Sequence, residues 1–378
     1  MVRSSLLLYS LCAATALFAE EIATNEEVAM VKTTPCDASP ETTISTVKER
    51  VALLESKMQD VFTDTTLGDF GAKTASARPQ IHSNRLFVKT DAFMWKAYFG
   101  GSDYAAADTT PTSTILTGDI KRADFRWRWG FRAELGYHLP HDIWDVLANY
   151  TWFHDRSDKS VSGAGGRIIP LLPEYTLFGI NSNASIRWNL RFQNLDLDLR
   201  RCYFLSRGFS LSPFFGLRNT WIDHDYSAHY TNPTGAPLYI DVRGKQDFFG
   251  IGPVAGLGSE WHIGSQWWFF GTFAGAILAG DYDITSRVLN AGTIYKNLTA
   301  NTQRMSPTLS GALGLGWHMN FNCDRNNVAL RLFYEAQYWW KQNLTIDYAS
   351  EANTPYQVIR VGEDLGMHGF TLDLLFDF

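Results

Sequence analysis

The sequence predicts an all-β protein: a transmembrane antiparallel up-and-down β-barrel of about ten strands, within a range of eight to twelve, behind a short N-terminal heptad helix. Three observations carry this. Long stretches alternate apolar and polar residues by twos, as strands do. The 378 residues are aromatic-rich at 14% and charge-poor at 19%, with 30 glycines, where a soluble chain carries about 25% charge. Short and long connectors alternate along the chain, the layout of membrane-spanning barrels. No run of about 18 apolar residues occurs in the body, which excludes helical spans there. A net charge of −6 argues against a nucleic-acid partner.

The N-terminus precedes this pattern. "MVRSSLLLYSLCAATALFAEE" has Arg3, an apolar run from Leu6 to Phe18, then small residues. That is the order of a cleaved export signal, giving a segment 1–19. Cleavage after Ala19 competes with the site at Ala14-Thr15-Ala16, and Cys12 inside the run admits lipoprotein processing. Residues 20–43 are polar and read as a flexible segment. In 44–63, Ile44, Val47, Val51, Leu54, Met58 and Val61 form an a/d seam spaced 3-4-3-4-3. It reads either as a homo-oligomer contact or as one amphipathic helix lying on the barrel mouth or membrane surface. Residues 64–84 are a linker, and the barrel is expected over 85–378.

Ten strands are expected near 85–99, 122–138, 144–155, 183–205, 209–224, 245–263, 267–282, 304–321, 328–342 and 367–378. In "DFRWRWGFRAELGYHLP", Phe125, Trp127, Trp129, Phe131, Ala133, Leu135 and Tyr137 share one face. Arg126, Arg128, Arg132 and Glu134 share the other. An arginine facing lipid at the midplane costs about 2–4 kcal/mol, so these arginines are assigned to the lumen. In "SIRWNLRF", Ile186, Trp188, Leu190 and Phe192 are assigned outward and Arg187, Asn189 and Arg191 inward. The apolar phase then shifts to Leu195, Leu197 and Leu199, as a β-bulge would make it do. In 245–263 the inward face, Gly250, Gly252, Val254, Gly256 and Gly258, is nearly bare; it leaves space or receives a large side chain. The stretches near 100–121, 156–182, 226–244, 283–303 and 344–366 read as long loops. The chain ends "TLDLLFDF", alternating to its last residue, because the last strand must close the barrel on the first.

Several stretches resemble the Legionella-type major outer membrane protein family, which also has members in chlamydia-like bacteria: "WGFRAELGYHLPHDIWDVLANYTWF", "WNLRFQNLDLDLRRCYFLSRGFSLSPFFGLRNTWI", "FFGIGPVAGLGSEW" and "YEAQYWWKQN". The resemblance runs from about 85 to 378. It implies an abundant outer-membrane porin with surface-exposed loops, and it carries no catalytic motif. Leu374, Phe376 and the terminal Phe378 resemble the assembly signal read by the outer-membrane assembly machinery.

The candidate pore lining is Arg126, Arg128, Arg132, Glu134, Asn189, Arg191, Asp196, Asp198, Arg218, Glu260, Arg331 and Glu335. Opposed charges across a narrow lumen would select ions. The competing expectation is a salt-bridged plug, since a barrel of about eight strands is just filled by its side chains. The expected function is a porin passing small hydrophilic solutes or ions. One rival is an adhesive barrel whose loops near 156–182 and 226–244 meet a host-surface ligand. The other is a barrel hydrolase using His224, which stands between Asp223 and Asp225. No catalytic residue, metal or cofactor is assigned. Cys36, Cys202 and Cys323 are disulfide candidates, all expected on the periplasmic side.

Overall fold

The computed structural model describes residues 50–51, 86–108, 117–139, 144–163, 167–172, 183–206, 208–232, 239–263, 266–321, 326–349 and 357–377. The chain divides into two compact units, Met1–Gly71 and Ala72–Phe378. Of the first, only Arg50 and Val51 are described, and both are helical and exposed. The rest of 44–63, where a helix is expected from the sequence, and the expected export signal, Cys36, Cys323 and Phe378 lie outside the described residues.

The second unit is built of strands: β1 (Leu86–Phe99), β2 (Asp103–Asp108), β3 (Gly118–Arg122), β4 (Arg128–His138), β5 (Trp144–Ser162), β6 (Arg167–Pro170), β7 (Asn183–Arg201), β8 (Tyr203–Ser206), β9 (Phe209–Thr231), β10 (Tyr239–His262), β11 (Trp267–Asn290), β12 (Thr293–Phe321), β13 (Asn326–Ala349) and β14 (Gln357–Asp377). Ten of them close an antiparallel barrel in the order β1-β4-β5-β7-β9-β10-β11-β12-β13-β14, with β14 returning to β1. β8 adds a short strand beside the start of β9. Closure leaves no free edge at the height where lipid would surround it.

Strands of 19 to 29 residues, such as β5 and β12, far exceed the 9–11 that cross a bilayer. The excess lies at the end opposite the short turns, and polarity inverts there. On β5 the outward face runs Val146, Ala148, Tyr150, Trp152, then His154, Arg156, Asp158. On β10 it runs Leu257, Ala255, Pro253, Ile251, Phe249, then Asp247, Lys245, Arg243. Where the outer face turns polar, the inner face turns apolar. Phe93, Trp95, Phe99, Phe153, Trp188, Phe192, Phe248, Tyr282 and Trp339 are all buried to within 2% and fill the lumen as one core. Lipid touches apolar side chains in the lower half; in the upper half water is outside and the apolar side chains pack on one another.

This inversion corrects several expectations. β7 carries no bulge: its pairing to β5 and β9 runs unbroken. Ile186, Trp188, Leu190 and Phe192 point inward, in phase with Asp196 and Asp198, while Asn189 and Arg191 lie on the outer wall. Phe125 is buried in the core rather than facing lipid. The chain at 123–127 is not a strand, so the alternation predicted across 122–138 holds only from Arg128. Expected loops are largely strand: β9 runs to Thr231 and β10 starts at Tyr239. β11 and β12 meet at the two-residue turn Ala291–Gly292, whose φ angles of 47° and 86° are those of a hairpin turn matched to strand twist. The bare glycine face receives large side chains. Phe214 lies over Gly256 and Phe248 over Gly250 and Gly280, so close that a Cβ at these positions would overlap the rings.

Three short strands form a second sheet in the order β3-β2-β6. It comes from the β1–β4 and β5–β7 connections and lies against the upper core. Tyr104 and Ile168 are buried, the Tyr230 hydroxyl donates to the Tyr104 carbonyl at 2.6 Å, and Arg167 pairs with Asp108.

Candidate functional site: a charged chamber beneath an aromatic layer

Below the aromatic core, at the height of the outer apolar belt, the inner face is polar. Here a chamber of about 200 Å³ remains, room for several ordered waters. Lys89, Arg132, Arg200, Arg218 and Arg331 line it together with Glu134, Asp196, Asp198, Glu260, Glu335 and Asp373.

Strand register sets the charges. Arg331, Asp373, Asp91 and Arg132 stand in one row across β13, β14, β1 and β4. Arg132 donates to Asp91 at 2.9 Å, to Glu335 at 3.0 Å and to the Thr151 hydroxyl at 3.1 Å. Arg331 donates to Asp373. Lys89 reaches Glu134 at 3.0 Å and Asp373 at 3.6 Å. Arg218 grips both oxygens of Asp196 at 2.8 and 2.9 Å, the bidentate geometry that makes an arginine–carboxylate pair strong and directional. Glu335 also accepts from Trp95 Nε1 at 3.1 Å and from Thr371, which ties the chamber to the layer above. Along this row two acids on neighbouring strands, Asp91 and Asp373, are flanked by Arg132 and Arg331, so each of the four is met by an opposite charge.

Eight of the sequence candidates meet here: Arg132, Glu134, Asp196, Asp198, Arg218, Glu260, Arg331 and Glu335. The other four do not. Arg126 is exposed. Arg128 opens β4 half-exposed, 3.6 Å from Asp155. Asn189 donates to Asp225 at 2.8 Å on the outer wall. Arg191 projects outward, 3.9 Å from Asp223. Lys89, Asp91, Arg200 and Asp373 were missed. A period-two count along β1 from Phe87, or along β14 from Thr371, places three of them on the inner face.

The His224 hydrolase geometry is absent. His224 is 3% exposed, its ring centroid 5.1 Å from Phe99 and 5.8 Å from Trp188. Burial pushes its pKa down to about 4. Asp223 and Asp225, being sequence neighbours, point to the opposite face. His229 meets Asp241 at 2.6 Å, on the open outer wall. Among the described residues no group of three or more His, Cys, Asp or Glu is placed to hold a metal ion. Cys202, at the β7–β8 junction, is partly buried. Leu374 is exposed on the outer wall, and Phe376 is in register with Val88 and Val328.

A family model described as the Legionella pneumophila major outer membrane protein precursor matches residues 80–378. No curated protein matches the chain in sequence. Among solved structures, the outer membrane protease OmpT of Escherichia coli aligns at 10% identity and a TM-score of 0.45, over 80% of this chain and 100% of that one. The toluene transporter TodX of Pseudomonas putida aligns at 10% and 0.28, over 78% and 89%. The attachment invasion locus protein Ail of Yersinia pestis aligns at 9% and 0.21, over 78% and 99%. Likeness of this degree carries nothing about activity.

Proposed function

Because the chain belongs to the Legionella pneumophila major outer membrane protein family, we propose that it is a surface-exposed outer-membrane barrel whose lumen rests closed to free diffusion. One observation carries this: the aromatic layer. Trp95, Trp188, Trp339, Phe93, Phe153 and Phe192 are each 1% exposed or less and meet across the lumen, Phe192 with Trp339 at 5.4 Å and Phe99 with Trp188 at 5.5 Å. Aromatic pairs at such spacings add about 0.5–1.5 kcal/mol each beyond the area they bury. The tall walls and the cap sheet then face the medium, where a surface ligand would meet them. Burial of His224 speaks against the hydrolase reading that used it.

The charged chamber favours a second reading, a porin for small ions, which requires the layer to part. Planar-bilayer recording of refolded protein tests the closed state. Wild type at low voltage is expected to give no sustained conductance. Continuous steps at rest would overturn it.

A further inference from the structure

The upper half of the barrel is not one continuous wall. Main-chain pairing between β12 and β13 ends at Thr308 and Trp339. Above that, Thr293–Pro307 pairs only with β11, and Asn343–Ala349 only with β14. A second seam opens between β1 and β5. β4 begins at Arg128, opposite Trp95, so among the described residues Lys96–Phe99 pairs with β14 alone on that side. The irregular segment 123–127 fills the space. The upper ends of β13, β14 and β1 thus form a three-stranded flap, separate from the six-stranded wall β5-β7-β9-β10-β11-β12.

Side chains, not ladders, hold the flap. At the first seam β13 bends at Lys341, whose φ of 53° is rare for a residue with a Cβ. Gln246 of the wall then stands in for a strand. Its Nε2 donates to the Gln342 carbonyl at 2.5 Å and its Oε1 accepts from the Leu344 amide at 2.8 Å. Ser306 donates to Gln342 Oε1 at 3.1 Å, and Lys296 Nζ to the Ile346 carbonyl at 3.1 Å. At the second seam Asp124 is held by Lys96 at 2.9 Å and Lys159 at 3.3 Å. The flap meets the aromatic layer at its base: Phe99 is on the flap, Trp95 and Trp339 are the last ladder-paired residues beneath the two seams, and Trp188, Phe192 and Phe248 stand on the wall.

We propose that this flap is a gate: it swings from the wall along both seams, parts the aromatic layer and joins the chamber to the outside, admitting small hydrophilic ions. Opening breaks about half a dozen side-chain contacts and two aromatic faces but no barrel ladder, provided β1 turns at Gly100–Ser102 while β2 stays paired to β6. The chamber beneath holds charges of both signs, so the solutes it suits are small and either ionic or zwitterionic. The inference rests on the closed-lumen reading.

Planar-bilayer recording of Gln246→Ala tests it, with heat-modifiable gel migration checking that the barrel is folded. The variant should open at least tenfold more often than wild type. In a background with Cys36, Cys202 and Cys323 replaced by Ser, Gln246→Ala combined with Ser306→Cys and Gln342→Cys should fall silent on oxidation and open again with reductant. A folded Gln246→Ala with wild-type opening, or an oxidised protein that conducts as well as the reduced one, overturns the gate. A wild type that conducts continuously would instead sink the closed-lumen reading. Hydrogen exchange on refolded wild type gives a readout independent of any variant. Amides of 343–349 and 357–363 should exchange at least tenfold faster than those of 245–258; equal protection of the two overturns the flap.

Discussion

Asp91 and Asp373 face each other in register across the junction where the first and last barrel strands meet. Two acids side by side repel. Arg132 and Arg331, the next positions in the same row, compensate them. The row pins closure, because a slip of one residue would turn every member to the lipid face. Arg132→Met should cost about 3–5 kcal/mol, since it strands buried carboxylates, and adding Asp91→Asn and Glu335→Gln should restore much of that. The urea concentration at which heat-modifiable migration is lost measures both. A harmless Arg132→Met would show that the row contributes no stability.

The corrected phase of β7 is open to direct test. Arg187→Cys and Arg191→Cys should react with a membrane-impermeant maleimide on intact cells, and Leu190→Cys should not. Arg191→Ala should stay within about 0.5 kcal/mol of wild type, while Leu190→Asp, at a site with no exposure, should block assembly. Labelling of Leu190→Cys in folded protein would return this stretch to the phase read from the sequence.

Gly280 sits beneath the ring of Phe248. Gly280→Ala should cost about 1–3 kcal/mol by overpacking, and Phe248→Leu in the same chain should recover part of it. The two changes share one space, so their costs should not add. Strict additivity in denaturant titrations would rule out the contact.

His224 lies above the lipid belt, and burial pushes its pKa down to about 4. As pH falls, the unfolded chain takes up the proton first, near 6.5. The stability this neutral ring contributes is whole above pH 6.5 and is lost as pH falls toward 4, by about 2 kcal/mol at pH 5. His224→Phe should therefore lose less stability than wild type between pH 7 and 5. Parallel acid sensitivity of the two proteins would show that His224 is not the group that titrates.

Much of this barrel was legible in the sequence. Alternation in "WGFRAELGYH" and "LFYEAQYW" located strands, and the closing of "TLDLLFDF" on the first strand follows from lipid alone. Face assignment failed at Phe125, where the chain is not a strand, and along the upper part of β7. Period two tells which residues share a face; naming the lipid face also assumed that apolar means outward. That holds for Leu195, Leu197 and Leu199. It fails for Ile186, Trp188 and Leu190, which stand above the lipid, and the apparent phase slip at Gln193 was the inversion itself. Polar alternation in 283–303 read as loop because strands with water on one side lack a lipid signature. The flap was invisible, since no residue pattern says which neighbour a strand leaves unpaired.

The inversion along each strand also fixes how deep the molecule floats. On β7, Leu195 and Arg191 are four residues apart on the same outer face, about 13 Å along the strand. Sinking by one such step would immerse a guanidinium; rising by one would strip a leucine of its acyl neighbours. The same waterline recurs at Trp152 and His154, Trp221 and Asp223, and Phe249 and Asp247. Such a hull has almost no vertical play, so a bilayer of the wrong thickness must deform to meet the protein, and the tilt available to a simple hydrophobic belt is denied to it.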